Sequence, residues 1–299
     1  MRQDIPVIIE AAINGGATKL GNPHVPITPD ELVSDICSVI EAGASIVHHH
    51  DHLPAGATAS DLAQTAGPVF RAVLAKHPDA LCYPATVWGG SIQQRLAHHA
   101  QLAAERVLRV AFCDPGSTNL GASDDAGLPV ATDFVYSHSP ADIRWWLDDL
   151  RRLRLGPMFS IFEPGFLRVP LAYERAGKLP PGAFAKLYFA DGGGGDGRGW
   201  AFGMPPLQPC LDAYLAMLEG SSMPWAVAVL GGDVITTGIA RAALERGGHL
   251  RVGIEDFAGQ GTPTNAQLVE QAVELCHEIG RPVATPEQAA DVLGLPTRH

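Results

Sequence analysis

Cysteine is scarce in this chain of 299 residues: Cys37, Cys82, Cys113, Cys210 and Cys276 are far apart, odd in number and free of any C-x-x-C pair. That argues against a disulfide framework and a thiolate zinc site, and it fits a reducing compartment, the cytoplasm. Positive charge is also in short supply, 21 Lys and Arg against 32 Asp and Glu, giving a formal net charge of −11. Such a balance argues against a nucleic-acid partner, and an anionic ligand would need a local basic pocket. No apolar run reaches the ~18 residues that a membrane span needs. The N-terminal residues lead directly into a short strand-like run, without the basic region and long apolar stretch of a signal peptide. Charged residues are only 18% of the chain against 46% apolar ones, so its buried elements are apolar on more than one face.

What is present is an alternation of short apolar strands with helical segments. Apolar runs at 7–13, 46–52, 81–86, 107–112, 158–162, 184–190, 225–230 and 250–254 read as eight strands, several closed by Gly, Asn or Pro. Between them, helical periodicity runs from Thr28 to Gly43, after Ser60, from Ser91 to Ala104, from Ser139, near Leu171, from Leu207 to Leu218, from Ile235 to Arg246 and from Asn265 to Ile279. Thr28-Pro29-Asp30-Glu31 is a helix start, with Thr28 as N-cap and Glu31 three residues on. Eight strand–helix units predict a closed (β/α)8 TIM barrel formed by residues 1–299 as a single domain.

The stretch Ile46-Val-His48-His49-His50-Asp51-His52 holds four of the twelve histidines. On a strand, alternate side chains share a face, so His48 and His50 point one way and His49 the other, and two imidazoles at a strand end can hold one metal. In a barrel the active site lies at the C-terminal strand ends. There the sequence places Asn14, His48, His50, Thr86, Asp114, Ser117, Glu163, Glu255 and Asp256. Barrel closure puts strand one between strands two and eight, so Glu255 can reach His48 and His50 and complete a His2Glu zinc set. Asp256 would stand beside the metal as a general base, with Arg251 on the same strand to keep it ionised. Glu10, inside the first strand, must be paired with a cation or face the site. Blander readings stand beside these: Glu255-Asp256 as a helix-start pair, Glu163-Pro-Gly as a turn, and His138 as a structural histidine. The glycine-rich loop from Gly192 to Gly199, with Arg198, suits either a phosphate cradle of backbone amides or a lid.

Several longer segments resemble one family. They are His48-His-His50 after Glu-Ala-Gly-Ala, Asp114-Pro-Gly-Ser117-Thr-Asn-Leu-Gly, Gly248-His-Leu-Arg251-Val-Gly-Ile-Glu255-Asp256, and the run from Asn265 through Arg281-Pro-Val-Ala-Thr-Pro-Glu287. Together they are similar to the β-keto acid cleavage enzymes, whose founding activity is 3-keto-5-aminohexanoate cleavage. The resemblance implies a zinc-dependent barrel, a homotetramer, in which a β-keto acid and acetyl-CoA give acetoacetate and a new acyl-CoA. It implies His48, His50 and Glu255 as zinc ligands, Asp256 as base, Arg251 as its charged partner and Ser117 as a pocket hydroxyl. Asn14, Thr86, Glu163 and Glu10 complete the expected substrate-binding set. Departures from the family pattern are specific. Ala17 stands where an acidic residue would hold a substrate amino group, which argues against an aminated substrate. Asp51-His52-Leu53 replaces an arginine after the His pair, and Ala85 or Thr86 replaces a serine at the end of strand three. Two other functions are compatible with a His-x-His barrel. A metal-dependent hydrolase would need further histidines on strands five and six, where none occurs; a non-catalytic metal- or CoA-binding barrel would not need Arg251, Glu255 and Asp256 together.

Overall fold

The computed structural model describes residues 5–191 and 199–297, so the run 192–198, which carries the expected phosphate cradle or lid, lies outside the described residues. Its strands are β1 (Ile9–Ala12), β2 (Ile46–His49), β3 (Leu81–Pro84), β4 (Val110–Cys113), β5 (Gly156–Ile161), β6 (Phe184–Ala190), β7 (Trp225–Leu230) and β8 (His249–Val252). The helices are α1 (Pro29–Ala42), α2 (Ala59–Lys76), α3 (Ile92–Arg95), α4 (Ala97–Ala104), α5 (Pro140–Leu153), α6 (Pro164–Arg175), α7 (Gln208–Met217), α8 (Ile239–Glu245), α9 (Asn265–Ile279) and α10 (Pro286–Leu293). All paired strands are parallel, in the order β3-β2-β1-β8-β7-β6-β5-β4. The end strands β3 and β4 approach each other, so the sheet wraps into a nearly closed (β/α)8 barrel ringed by helices.

Local chemistry sets the element boundaries. Thr28 accepts from the Glu31 amide while Glu31 accepts from the Thr28 amide, a reciprocal cap that satisfies two donors otherwise unpaired at the start of α1. Gly43 ends α1 in the left-handed conformation. The helix expected over 91–104 is broken at Leu96, where His98 Nδ1 lies 3.0 Å from the Arg95 carbonyl and competes for it. Glu163-Pro-Gly is more than a turn: Glu163 is the N-cap residue of α6 and Pro164 its first residue. The fourth strand begins at Val110 rather than Val107; Arg106, at φ 60°, and Val107 still donate their amides to Ala103 and Leu102 in the turn that ends α4.

Apolar side chains fill the layer between barrel and helices, with Phe70, Val73, Trp146 and Leu211 at 1% exposure or less. Inside the barrel the pattern inverts: Glu10, Tyr83, Lys186 and Arg251 are buried at 2% or less. Charges so deep require partners, and their pairing defines the floor of the site.

Candidate active site

Two glycines shape the place where β8 meets β1. At Gly253, φ is +134° and an added Cβ would lie 2.0 Å from the Ala12 carbonyl oxygen, so only glycine permits this approach. The Glu255 amide then donates to the same carbonyl at 3.1 Å, which carries Glu255 over the end of β1 toward β2. Gly15, with φ +52°, leaves the passage open; a Cβ there would lie 2.3 Å from Glu255 Cγ.

Glu255 ends between two imidazoles. Its Oε2 is 3.6 Å from His48 Nε2 and its Oε1 3.5 Å from His50 Nε2. One donor atom from each of the three residues lies within 4.8 Å of the others, and among the described residues no other group meets that condition. His50 follows the last residue of β2, and its backbone is fixed from both sides by Asn14: the His50 amide donates to Asn14 Oδ1 at 2.8 Å and Asn14 Nδ2 donates to the His50 carbonyl at 2.8 Å. His49 turns outward, its ring 5.3 Å from Phe70 and its Nε2 3.1 Å from Asp51 Oδ2. Burial holds the His48 imidazole neutral, well below its usual range, against the opposing pull of Glu255. Burial would raise the Glu255 carboxyl, but Arg251, His48 and His50 bring it well below the carboxylate norm. Neutral imidazole nitrogens and an ionised carboxylate whose buried Oε2 has no hydrogen-bond partner form a donor set that fits a divalent cation.

Beneath this set, Arg251 joins three carboxylates. Its Nε and Nη2 donate to Asp256 Oδ2 and Oδ1 at 2.7 and 3.1 Å, Nη2 also to Glu255 Oε1 at 2.9 Å, and Nη1 to Glu10 Oε1 at 2.7 Å. The fork geometry fixes Asp256 in one orientation. Burial nevertheless raises the Asp256 carboxyl above the ordinary aspartate value, with Arg251 opposing. Glu10 also accepts from Tyr83 at 2.8 Å and from Lys186 at 3.3 Å, while Lys186 donates to Tyr83 Oη at 2.7 Å. Burial weighs against the Glu10 charge, but Lys186 and Arg251 prevail and lower its carboxyl from the ordinary value.

Above the floor opens a cavity of about 950 Å3, lined among others by His48, His50, Thr86, Asp114, Lys186, Arg251, Glu255 and Asp256, with Trp88, Tyr136, Phe162, Tyr188 and Trp200 as aromatic walls. Asp114 accepts from the Tyr136 hydroxyl. Of the positions where the sequence departs from the resemblance, Ala17, Ala85 and Thr86 line this cavity, and Asp51, His52 and Leu53 do not. Four expected residues are not among its lining. Asn14 is turned to the His50 backbone, and Glu10 is sealed under Arg251 and Lys186. The Ser117 hydroxyl donates to the His138 carbonyl and accepts from its amide. Glu163 accepts from Thr118 and from the Gly203 amide. Lys186 and Tyr83 did not emerge from sequence reasoning; the available signal was a lysine in the apolar alternation Phe184-Ala-Lys186-Leu-Tyr188 of β6. Neither β5 nor β6 carries a histidine; Ser160 and Lys186 face the cavity from them.

The structure is an eight-stranded parallel barrel whose strand ends carry a His2Glu donor set able to hold a metal ion, beside an arginine-bound aspartate. Residues 6–295 match the model of the beta-keto acid cleavage enzymes, and the chain belongs to that family. It is 29% identical over 299 residues to the 3-oxoadipate:acetyl-CoA acetyltransferase of Cupriavidus necator, covering 98% of this chain and 96% of that one. To the 3-keto-5-aminohexanoate cleavage enzyme of Fusobacterium nucleatum it is 28% identical, covering 97% and 98%. Among solved structures, apo ObcA shares the fold at a TM-score of 0.66 and 15% identity, over 92% of this chain and 66% of that one.

Proposed function

We propose that this protein is a zinc-dependent β-keto acid cleavage enzyme that exchanges acyl groups between a 3-keto acid and acetyl-CoA, releasing acetoacetate and the CoA ester of the remaining acid. The observation that carries the proposal is the placement of Asp256, held by two Arg251 hydrogen bonds next to the His48–His50–Glu255 donor set on the cavity wall. Zinc held by those three residues would supply Lewis-acid polarisation of the keto acid's oxygens. Asp256 takes the proton between the ketone and the carboxylate, and Arg251 keeps its carboxylate in one orientation while it does so. The resulting carbon nucleophile attacks the acetyl carbonyl and expels the CoA thiolate. That thiolate then adds to the substrate's ketone carbon. Cleavage of the adjoining carbon–carbon bond yields the new acyl-CoA, and Asp256 returns its proton to acetoacetate. The cavity's volume suits a small keto acid together with the acyl end of a thioester. Ala17 on its wall offers no partner for a substrate amino group, so the proposed substrate is not aminated there.

The proposal includes a homotetramer in the cytoplasm; apolar side chains exposed at Leu128, Val130, Phe134 and Val135 support assembly, and light scattering would measure it. No helix among the described residues is long and apolar enough to cross a membrane. The direct test is incubation of zinc-loaded protein with acetyl-CoA and a panel of 3-keto acids. Formation of acetoacetate with a matching acyl-CoA is expected, and no exchange across the panel would overturn the assignment.

A further inference from the structure

The described mechanism leaves one buried charge without a task. Lys186 is 1% exposed, sits on the inner face of β6 and lines the cavity. An ammonium has three N–H donors. One goes to Tyr83 Oη at 2.7 Å and a second, longer, to Glu10 Oε1 at 3.3 Å. The rings of Tyr83 and Tyr188 flank the nitrogen at 5.3 and 5.9 Å, which holds it in place. Glu10 does not require this lysine as counterion, because Arg251 already meets the same oxygen at 2.7 Å. Arg251, in turn, directs four of its five N–H donors at Glu10, Glu255 and Asp256, so that only one Nη1–H is uncommitted and three carboxylates surround its charge. Among the described residues, Lys186 is therefore a cation at the cavity floor that keeps a donor for a ligand and is not already surrounded by carboxylates.

We infer that Lys186 is a substrate-binding residue whose remaining N–H pairs with the carboxylate of the β-keto acid, and that the Glu10–Tyr83 pair holds it upright for that purpose. The inference rests on the proposed function and deepens it: the enzyme selects free β-keto carboxylates over their neutral esters through Lys186 as well as through the metal site. A charge-assisted hydrogen bond of this kind corresponds to about 10- to 100-fold in affinity.

The test is calorimetric binding of acetoacetate and of methyl acetoacetate to zinc-loaded protein, in the native chain, in Lys186→Met and in the double variant Glu10→Gln/Lys186→Met. The double variant removes both charges together and guards against misfolding of the single one; zinc content and thermal unfolding check both. The expected result is a loss of acetoacetate affinity of about 10- to 100-fold in the variants, with methyl acetoacetate bound as by the native chain and zinc retained. Folded, zinc-loaded variants that keep the native preference for acetoacetate would overturn the role of Lys186 and leave the proposed function standing. A native protein that binds neither compound would instead remove the functional proposal, and this inference with it.

Discussion

Replacing Asp256 by Asn keeps the side chain's shape and removes its basicity, so the proposed base can be separated from the proposed metal ligands. The expected outcome is a fall in kcat of about 10²- to 10⁴-fold with zinc content unchanged; loss of zinc instead would make Asp256 a structural support of Glu255. Glu10 answers to a different measurement. It accepts hydrogen bonds from Tyr83, Lys186 and Arg251 at zero exposure. Glu10→Gln leaves buried cations short of a counterion, which costs roughly 3–5 kcal/mol, read by urea unfolding. A change within 0.5 kcal/mol, about the scale of an ordinary surface substitution, would show that Arg251 and Lys186 do not depend on it. The candidate donor set His48, His50 and Glu255 was legible because His-x-His at a strand end and Glu255-Asp256 at another are local patterns. Lys186 was not, since its partners Tyr83 and Glu10 lie 103 and 176 positions away and meet it only across the barrel.

At the scale of elements, α1 meets α9 through one hydrogen-bonded carboxyl: Asn265 Nδ2 donates to Asp35 Oδ2 at 2.7 Å and to the Ile13 carbonyl at 2.8 Å. Burial pushes the Asp35 carboxyl from 3.8 up to about 6, against the opposing Asn265 bond. The folded-state value is thus above the unfolded one, so the contribution to stability is fully present below pH ~4 and is lost as pH rises through about 6. The ionised carboxylate then costs roughly 3 kcal/mol. Asp35→Asn keeps an acceptor for Asn265 and is expected to be more stable than the native chain at pH 8, by up to about that amount, with the gain gone near pH 4. Denaturant melts at the two pH values check this, and an equal gain at both would contradict it. Asn14 is a second element-level device, joining the end of β1 to that of β2. Asn14→Ala should weaken zinc binding by about 10- to 100-fold in a chelator competition; unchanged affinity would mean His50 stays in place without the clamp. Capped elements such as α1, and the strongly apolar strands β6 and β7, were readable from sequence to within a residue. The break between α3 and α4 and the helix α10 were not, because a histidine competing for a carbonyl and a short terminal helix leave little periodic signal.

Across the whole molecule, the site exists because the sheet closes on itself. His48 stands on β2, His50 directly follows it and Glu255 follows β8; they meet only because β1 pairs with both neighbours, Ala12 beside His48 and Glu10 beside Arg251. That closure could be anticipated by counting eight strand–helix units, whereas the polar barrel floor could not, because it is assembled from four strands at once. The central claim is that this closure builds a zinc site. The measurement that tests it most directly is metal content per chain, by elemental analysis of protein purified without chelator or histidine tag, beside His48→Ala. About one zinc per native chain, lost in the folded variant, is the predicted result. A well-folded native chain that takes up no metal when zinc is offered, or a His48→Ala chain that keeps it, would contradict the account.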